Sequence, residues 1–465
     1  MLYKRDILLH VFLKTRGQVK ALYIPHIQIK FIKHNTLFPL QNTRLAENRP
    51  LEIMDGGSVI DDQFSKLHPS FPPKTRIAIV GAGPSGLSAA YALCKLGYSD
   101  VTVIEKQQSP GGMCESVEIE GRIYDLGGQV LAANSAPSIF YLAGEVGAET
   151  EEMDTHKFAL IDYTTGALKE MKLVEDYVSV ISLTLKLQDK AKASGRIGVH
   201  AVSNIAPDLA PEYLKAQGFQ SVPKSVIYGY TASGYGFVED MPYAYIHEFT
   251  RTSMAGKIRR FKGGYTSLWK KLSERLPVKY HCNALVQSVN RDSSGIKVEI
   301  LTENKEVQVM DFDKMIVSGS FPFNSGNTYR SPSQNKSETT KDNMDFSELE
   351  KELFSKVQTV DYYTTVLKIK GLEHIPKGFY YFDKFMEDPA SIGNPVAMQR
   401  FYGDTNIFLF WSYGNSADIQ GTRVAELAID AAKRIGGEIE EIILQRKFKY
   451  FPHVSSEGML NSPKD

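Results

Sequence analysis

The feature that most constrains this chain is the junction at residues 77–87. A short apolar strand, Ile77-Ala78-Ile79-Val80, runs into Gly81-Ala82-Gly83-Pro84-Ser85-Gly86 and then into a helix. The G-x-G-x-x-G spacing at a strand-to-helix turn predicts a cradle for a dinucleotide diphosphate. Gly81 permits the tight turn, Gly83 keeps the backbone bare where a phosphate approaches, and Gly86 lets the helix press on the sheet. Pro84 and Ser85 open the helix, whose free N–H groups and positive dipole end then face the phosphates. The helical spacing of Leu87, Ala90, Leu93 and Cys94 predicts a helix over 85–96 that stops at Gly97. The apolar strand 101–104 follows. Glu105 closes it about twenty residues past the glycines, where an acid pairs with ribose hydroxyls, and Lys106 stands beside it. An ordinary βαβ unit with a tight turn is the alternative.

Two further glycine pairs come next, Gly111-Gly112 ahead of Met113 and Gly127-Gly128 after Tyr124-Asp125-Leu126, and they bracket a predicted β-hairpin. Here the chain resembles the amine-oxidase-like flavoproteins. The resemblance implies an α/β fold: an FAD-binding Rossmann-like domain of the glutathione-reductase type with a discontinuous α+β substrate domain. It also implies FAD as cofactor. Gly111, Gly112 and Met113 would lie along its pyrophosphate, Gly127 and Gly128 near the flavin ring, and the backbone at Val286 against the adenine. Ser109 stands where the family commonly has an arginine.

Within that superfamily the chain is similar to the flavin-dependent polyenoic fatty acid isomerase group. Three segments carry this: Ser233-Gly234-Tyr235-Gly236 with Met241-Pro242-Tyr243-Ala244-Tyr245, the stretch 262–269, and Tyr450-Phe451-Pro452-His453-Val454. The implied activity is isomerisation of a polyunsaturated fatty acid or similar apolar substrate by hydride transfer to and from flavin N5. An amine oxidase or polyene desaturase is the alternative. The group places an arginine for the substrate carboxylate in a stretch that here reads His156-Lys157, so Lys157 or a protonated His156 would serve. Ser233 replaces an aromatic of the isomerase.

An apolar substrate calls for an aromatic lining. Tyr228, Tyr230, Tyr235, Phe237, Tyr243, Tyr245 and Phe249 crowd one segment. Tyr235 is the leading substrate candidate there, Trp411 and Tyr413 are others, and each is equally readable as core. His453 reads as a general base or as a structural histidine. No Ser/His/Asp triad or metal cluster is present in the sequence pattern, so the flavin would do the chemistry.

Composition sets the outer limits. Lysine plus arginine and aspartate plus glutamate both number 54, which leaves no electrostatic case for nucleic acid. Three cysteines, Cys94, Cys114 and Cys282, form neither a disulfide framework nor a zinc pattern and point to a reducing compartment. No stretch is long and apolar enough to span a bilayer. Residues 1–44 carry many basic residues against the single acid Asp6, which reads as an organellar transit peptide or as a leader ahead of a start at Met54. The compartment is therefore cytoplasmic or organellar, and the oligomeric state is open.

Five stretches follow from these signals. Residues 1–74 read as an N-terminal extension, basic then flexible. Residues 75–133 and 257–320 form two parts of the FAD domain, and 134–256 a mostly helical substrate or cap domain. Residues 321–465 supply a substrate-side sheet and end short of the strand and helix that the resemblance leads one to expect. A shortened, non-catalytic flavoprotein is accordingly a third reading.

Overall fold

The computed structural model describes residues 67–132, 136–153, 156–171, 174–193, 198–253, 257–319, 344–386, 389–414 and 421–460, with residues 61, 64 and 65 and the strands Val11–Thr15 and Gln18–Leu22. Two large sheets organise them. In the first, Ile77–Val80 pairs in parallel with Val101–Ile104 and Lys314–Val317, and Lys279–His281 extends the sheet beyond Val101–Ile104. Parallel neighbours need a crossover, which the helix Pro84–Lys95 supplies. Both faces are covered, so these strands read as unbroken apolar runs.

On one face the helix Tyr265–Arg275 buries Leu268, Trp269 and Leu272 beside Leu87 and Ala90. Against the other lies a small antiparallel sheet, Leu285–Arg291, Ile296–Leu301 and Val307–Phe312, which packs Val286, Val298 and Ile300 onto Ala78 and Ile104. Its third strand alternates too weakly to be read from sequence, and pairing with Ile296–Leu301 fixes it. The strand Val11–Thr15 pairs antiparallel with Lys314–Val317 and with Gln18–Leu22. Part of the basic segment expected to be a leader is thus sheet, and the rest of residues 1–60 lies outside the described residues.

The second sheet has seven strands, in the order Leu168–Lys169, Lys157–Ile161, Gly378–Tyr381, Pro395–Arg400, Ile407–Tyr413, Val357–Lys370 and Glu438–Val454. Successive side chains alternate between its faces. One face puts Leu367, Phe408 and Phe410 under Ala428, Ala431 and Ala432 of the helix Thr422–Arg434. The other puts Val366, Phe379, Leu409 and Trp411 in one apolar layer with the helices Val174–Ala193, Ala210–Ala216, Lys224–Ala232 and Tyr243–Ser253.

The stretch 134–256 is less uniformly helical than expected. Thr150–Glu152 and Lys157–Ile161 are strands, the latter paired in parallel with Gly378–Tyr381. Phe158-Ala159-Leu160-Ile161 is apolar in either periodicity, and only its sheet partner decides it. Most of the polar loop 322–345 lies outside the described residues. Among those residues, no helix is long and apolar enough to cross a membrane.

Candidate active site

The three glycine turns interlock. Gly81 has φ of +102°, and a Cβ there would lie 2.9 Å from the Gly319 backbone N. A Cβ on Gly86 would fall 1.9 Å from the Gly81 carbonyl oxygen, so helix and turn touch only because that side chain is absent. Gly112 at φ +58° backs onto Gly83, where its Cβ would come 2.8 Å from the Gly83 Cα. Gly127 rests on the Met113 carbonyl, 1.9 Å from a would-be Cβ, and the Gly128 N–H donates to that same oxygen at 3.1 Å.

Ala82 knots the cradle together. Its N–H donates to Glu105 Oε2 at 2.6 Å and its carbonyl accepts from the Gly111 N–H at 2.9 Å. Glu105 is buried, and its Oε1 accepts from the Gln107 N–H at 2.8 Å. The Asn283 and Ala284 N–H groups donate to the Gln107 and Glu105 carbonyls, both at 2.9 Å, which draws Val286 alongside Glu105 and exposed Lys106. These contacts bring Gly81, Gly83, Gly86, Glu105, Gly111, Gly112, Met113, Gly127 and Gly128 together, with Pro84 and Ser85 at the head of the helix and Lys106 and Val286 on the segments that adjoin Glu105.

These residues fit FAD. Only the Gly112 Cα, at 3.6 Å, comes within 4 Å of a Cβ built on Gly83, so the space a side chain would take there is open to a phosphate. The helix behind it begins with Pro84, has no side-chain cap and carries no acid in its first turn, leaving its N–H groups for an anion. Glu105 retains lone pairs beyond its two backbone bonds for ribose hydroxyls.

Ahead of the second glycine pair, the hairpin of Ser116–Ile119 and Arg122–Asp125 is tied to the seven-stranded sheet. Thr364 Oγ1 donates to the Leu126 carbonyl at 2.7 Å, and Tyr402 OH donates to the Ile123 carbonyl at 2.8 Å. Asp125 lies in that joint, fully buried. Its Oδ1 accepts from Ser116 Oγ at 2.6 Å and from the Tyr265 N–H at 2.8 Å, while Oδ2 has no partner. Burial pushes its carboxyl up to about 6, although those two donors and nearby Arg260 pull it down.

From Gly127 an aromatic path leads into the helical layer. Phe448 lies 3.5 Å from a Cβ built on Gly127, and Tyr450, two residues on, is buried on the same side of its strand. Tyr235 sits 5.8 Å from Tyr450 and 5.0 Å from Phe451, ring centre to ring centre, and is only half-buried. Tyr230 and Phe249 complete the cluster at 5.4 Å and 5.6 Å from Tyr235. Gly234 and Gly236, at φ +82° and +97°, turn Tyr235 into it, and the Gly236 N–H is held by Tyr413 OH at 2.9 Å. Phe451 itself has φ of +48° in a bulge opposite the 358–360 segment, next to Pro452. A proline and a strained non-glycine residue are tolerated in a strand at such a bulge.

The sequence-named substrate residues separate here. Tyr235 lies in the cluster. Trp411 is buried in the same layer, stacked on Phe379 at 6.3 Å, as part of the sheet's packing. Lys157 does not reach the layer. Strand alternation puts it with Ala159 and Ile161 on the opposite face, exposed, so the substrate carboxylate role expected of it fails on geometry. His156 takes the aromatic side, its ring 6.0 Å from Phe379, and burial lowers its pKa. His453 Nδ1 is 2.7 Å from the Phe451 carbonyl, its ring stacks on Phe451 at 5.0 Å, and burial holds it neutral. That arrangement is structural. Asp125 and Arg260 carried no distinguishing sequence signal; Tyr362, Tyr413 and Tyr450 converge on Tyr235 only through strand pairing.

A dinucleotide cradle with three interlocked glycine turns, opening onto an aromatic layer over a second sheet, defines a two-part flavoprotein. Residues 84–346, more than half of the chain, match the family model for flavin containing amine oxidoreductase, and the chain belongs to that family. FAD is its cofactor. An L-amino-acid oxidase of Bothrops jararacussu is 25% identical over 302 residues, 59% of each chain. A zeta-carotene-forming phytoene desaturase of Myxococcus xanthus is 50% identical over 52 residues, 11% of this chain and 10% of its own. The chain thus spans 59% or less of these relatives' lengths. Among solved structures, the CLA-producing fatty acid isomerase from P. acnes superposes with a TM-score of 0.68 at 22% identity, covering 83% of this chain and 89% of that one. A putrescine oxidase superposes at 0.55 and 17% identity, covering 83% and 89%. At these identities the superpositions establish the fold.

Proposed function

We propose that this protein is an FAD-dependent enzyme that isomerises a polyunsaturated, lipid-like substrate, the carbon chain lying among the rings around Tyr235. The observation that supports it is the succession of aromatic side chains from Gly127 to Phe448, then to Tyr450 two residues along the same strand, and on to Tyr235. When bound, FAD supplies a hydride acceptor and donor. The chain's own contribution is to orient and keep dry. Phe448, Tyr450 and Tyr235 position an apolar chain next to the second glycine pair, and the closely packed layer excludes water. No side chain in this cluster is an ionised acid or base, which suits a reaction whose hydride leaves and returns on the cofactor.

Amine oxidation is the second reading, because the same ring faces can hold an ammonium group and both the Bothrops oxidase and the putrescine oxidase are named for amine substrates. The FAD-loaded protein incubated with linoleic acid and its methyl ester, and separately with amines under oxygen, distinguishes the two. Conjugated diene without peroxide is expected. Peroxide released from amines with no diene formed would overturn the proposal.

A further inference from the structure

The polar end of the substrate can be read from which charges this interior can hold. A carboxylate taken out of water needs a cation within hydrogen-bond reach. The described residues bury two arginines and no lysine. Arg260 donates from Nε to Glu151 and from Nη2 to Tyr402 OH, both at 2.7 Å, and lies over the Phe401 ring at 4.9 Å. Arg400 gives Nη1 to the Glu373 and Ile375 carbonyls and Nη2 to those of Gly403 and Thr405. Both guanidiniums are committed to the protein; Arg400 Nε lacks a partner, and that side chain lies over the Phe408 ring on the far face of the sheet. The buried histidines are uncharged near neutrality, His453 lowered by burial and His247 brought down to about 4.

The aromatic cluster does hold one uncommitted polar atom. Tyr230 is 1% exposed, its ring is packed between Tyr235, Phe249 and Phe451, and its hydroxyl has no hydrogen-bond partner. A buried hydroxyl without a partner is costly to the fold, because it gives up water and gains no bond in exchange. Burial raises its pKa well above the ordinary tyrosine value, with smaller effects from Tyr413, Tyr245 and Tyr235. Tyr413 is committed to the Thr231 carbonyl at 2.6 Å and Tyr245 to the Val454 N–H at 2.9 Å.

We infer that the substrate presents an uncharged polar end, an alcohol, aldehyde or ester of an unsaturated chain and not a free carboxylate, and that the Tyr230 hydroxyl is its hydrogen-bond partner. This rests on the lipid reading above and names the substrate class within it. The hydroxyl both donates and accepts, so it matches an alcohol or a carbonyl alike.

The test uses the full FAD-loaded chain at pH 8, with linoleyl alcohol, methyl linoleate and linoleate as probes below their aggregation limits. Affinity is read from the flavin absorbance change and from quenching of intrinsic fluorescence. The neutral probes are expected to bind at least about tenfold more tightly than linoleate. Tyr230→Phe, which removes only the hydroxyl, is expected to weaken linoleyl alcohol by about three- to tenfold, the worth of one hydrogen bond, with FAD content unchanged. Linoleate binding as tightly as the alcohol would overturn the inference, as would an unchanged alcohol affinity in Tyr230→Phe. If that variant loses FAD, the wild-type comparison of alcohol with acid decides alone. Failure of every lipid probe to bind, with amines oxidised, would instead bring down the lipid reading itself.

Discussion

A Cβ built on Gly83 would meet only the Gly112 Cα, at an ordinary contact distance of 3.6 Å, so the first carbon of a side chain has room there until a ligand takes that space. Gly83→Val is therefore expected to fold and to lose FAD. The purified variant should be colourless, with an undisturbed circular dichroism spectrum; a yellow variant would refute the cradle. Asp125 makes a prediction of a different kind. Its native pKa of about 6 exceeds the ordinary 3.8, so the folded state holds its proton more tightly than the unfolded chain does. Stability from this group is complete below pH 4 and is lost as pH rises from about 4 to 6, by up to about 3 kcal/mol for a shift of about two units. Asp125→Asn keeps an oxygen for Ser116 and the Tyr265 N–H, so its thermal midpoint should show a shallower decline over that window than wild type. Equal slopes would place the strain elsewhere.

At the scale of elements, the start of the helix Tyr265–Arg275 is fastened to the first glycine hairpin by its neighbours, since Gly264 has no side chain with which to cap it. Thr266 Oγ1 donates to the Cys114 carbonyl at 2.5 Å and accepts from the Ser116 N–H at 2.8 Å, and Ser116 Oγ accepts from the Thr266 N–H at 3.1 Å. A helix and a hairpin 150 residues apart in the chain are joined through one hydroxyl. Thr266→Val preserves shape and removes both bonds of that half-buried hydroxyl, which should cost about 1–3 kcal/mol in urea unfolding. The element boundaries show where local pattern suffices. Val101–Ile104 and Val174–Ala193 follow directly from apolar run and helical spacing. Glu438–Val454 does not, because its exposed charged residues hide the alternation until Val357–Lys370 pairs with it.

For the whole molecule, the cradle exists only when strands separated by more than 200 residues lie side by side, as Ile79 does with Ile316. FAD then binds the native state and has no comparable site in the unfolded chain. At a free FAD concentration one hundred times Kd the fold should gain about 2.7 kcal/mol, seen as a rise in Tm with added FAD that Gly83→Val does not show. The two sheets share this dependence, since the bonds from Thr364 to Leu126 and from Tyr402 to Ile123 tie the aromatic layer to the second glycine pair.

The local chain determined the first glycine turn by itself, because a turn that needs bare backbone at Gly81, Gly83 and Gly86 is a property of a few consecutive residues. Gly111, Gly112, Gly127 and Gly128 stood out as pairs around a hairpin, and their place beside the cofactor came from the resemblance to amine-oxidase-like flavoproteins. Which side chains face the substrate was decided only in three dimensions. Lys157 and His156 are neighbours in the chain, yet strand alternation sends one to the outer face and the other to the aromatic layer. Tyr230 and Tyr235 became partners of Tyr450 and Phe451 through sheet pairing and helix packing across more than 200 residues. A short motif carries its geometry with it, whereas a pocket is assembled from surfaces that meet only after the chain has folded.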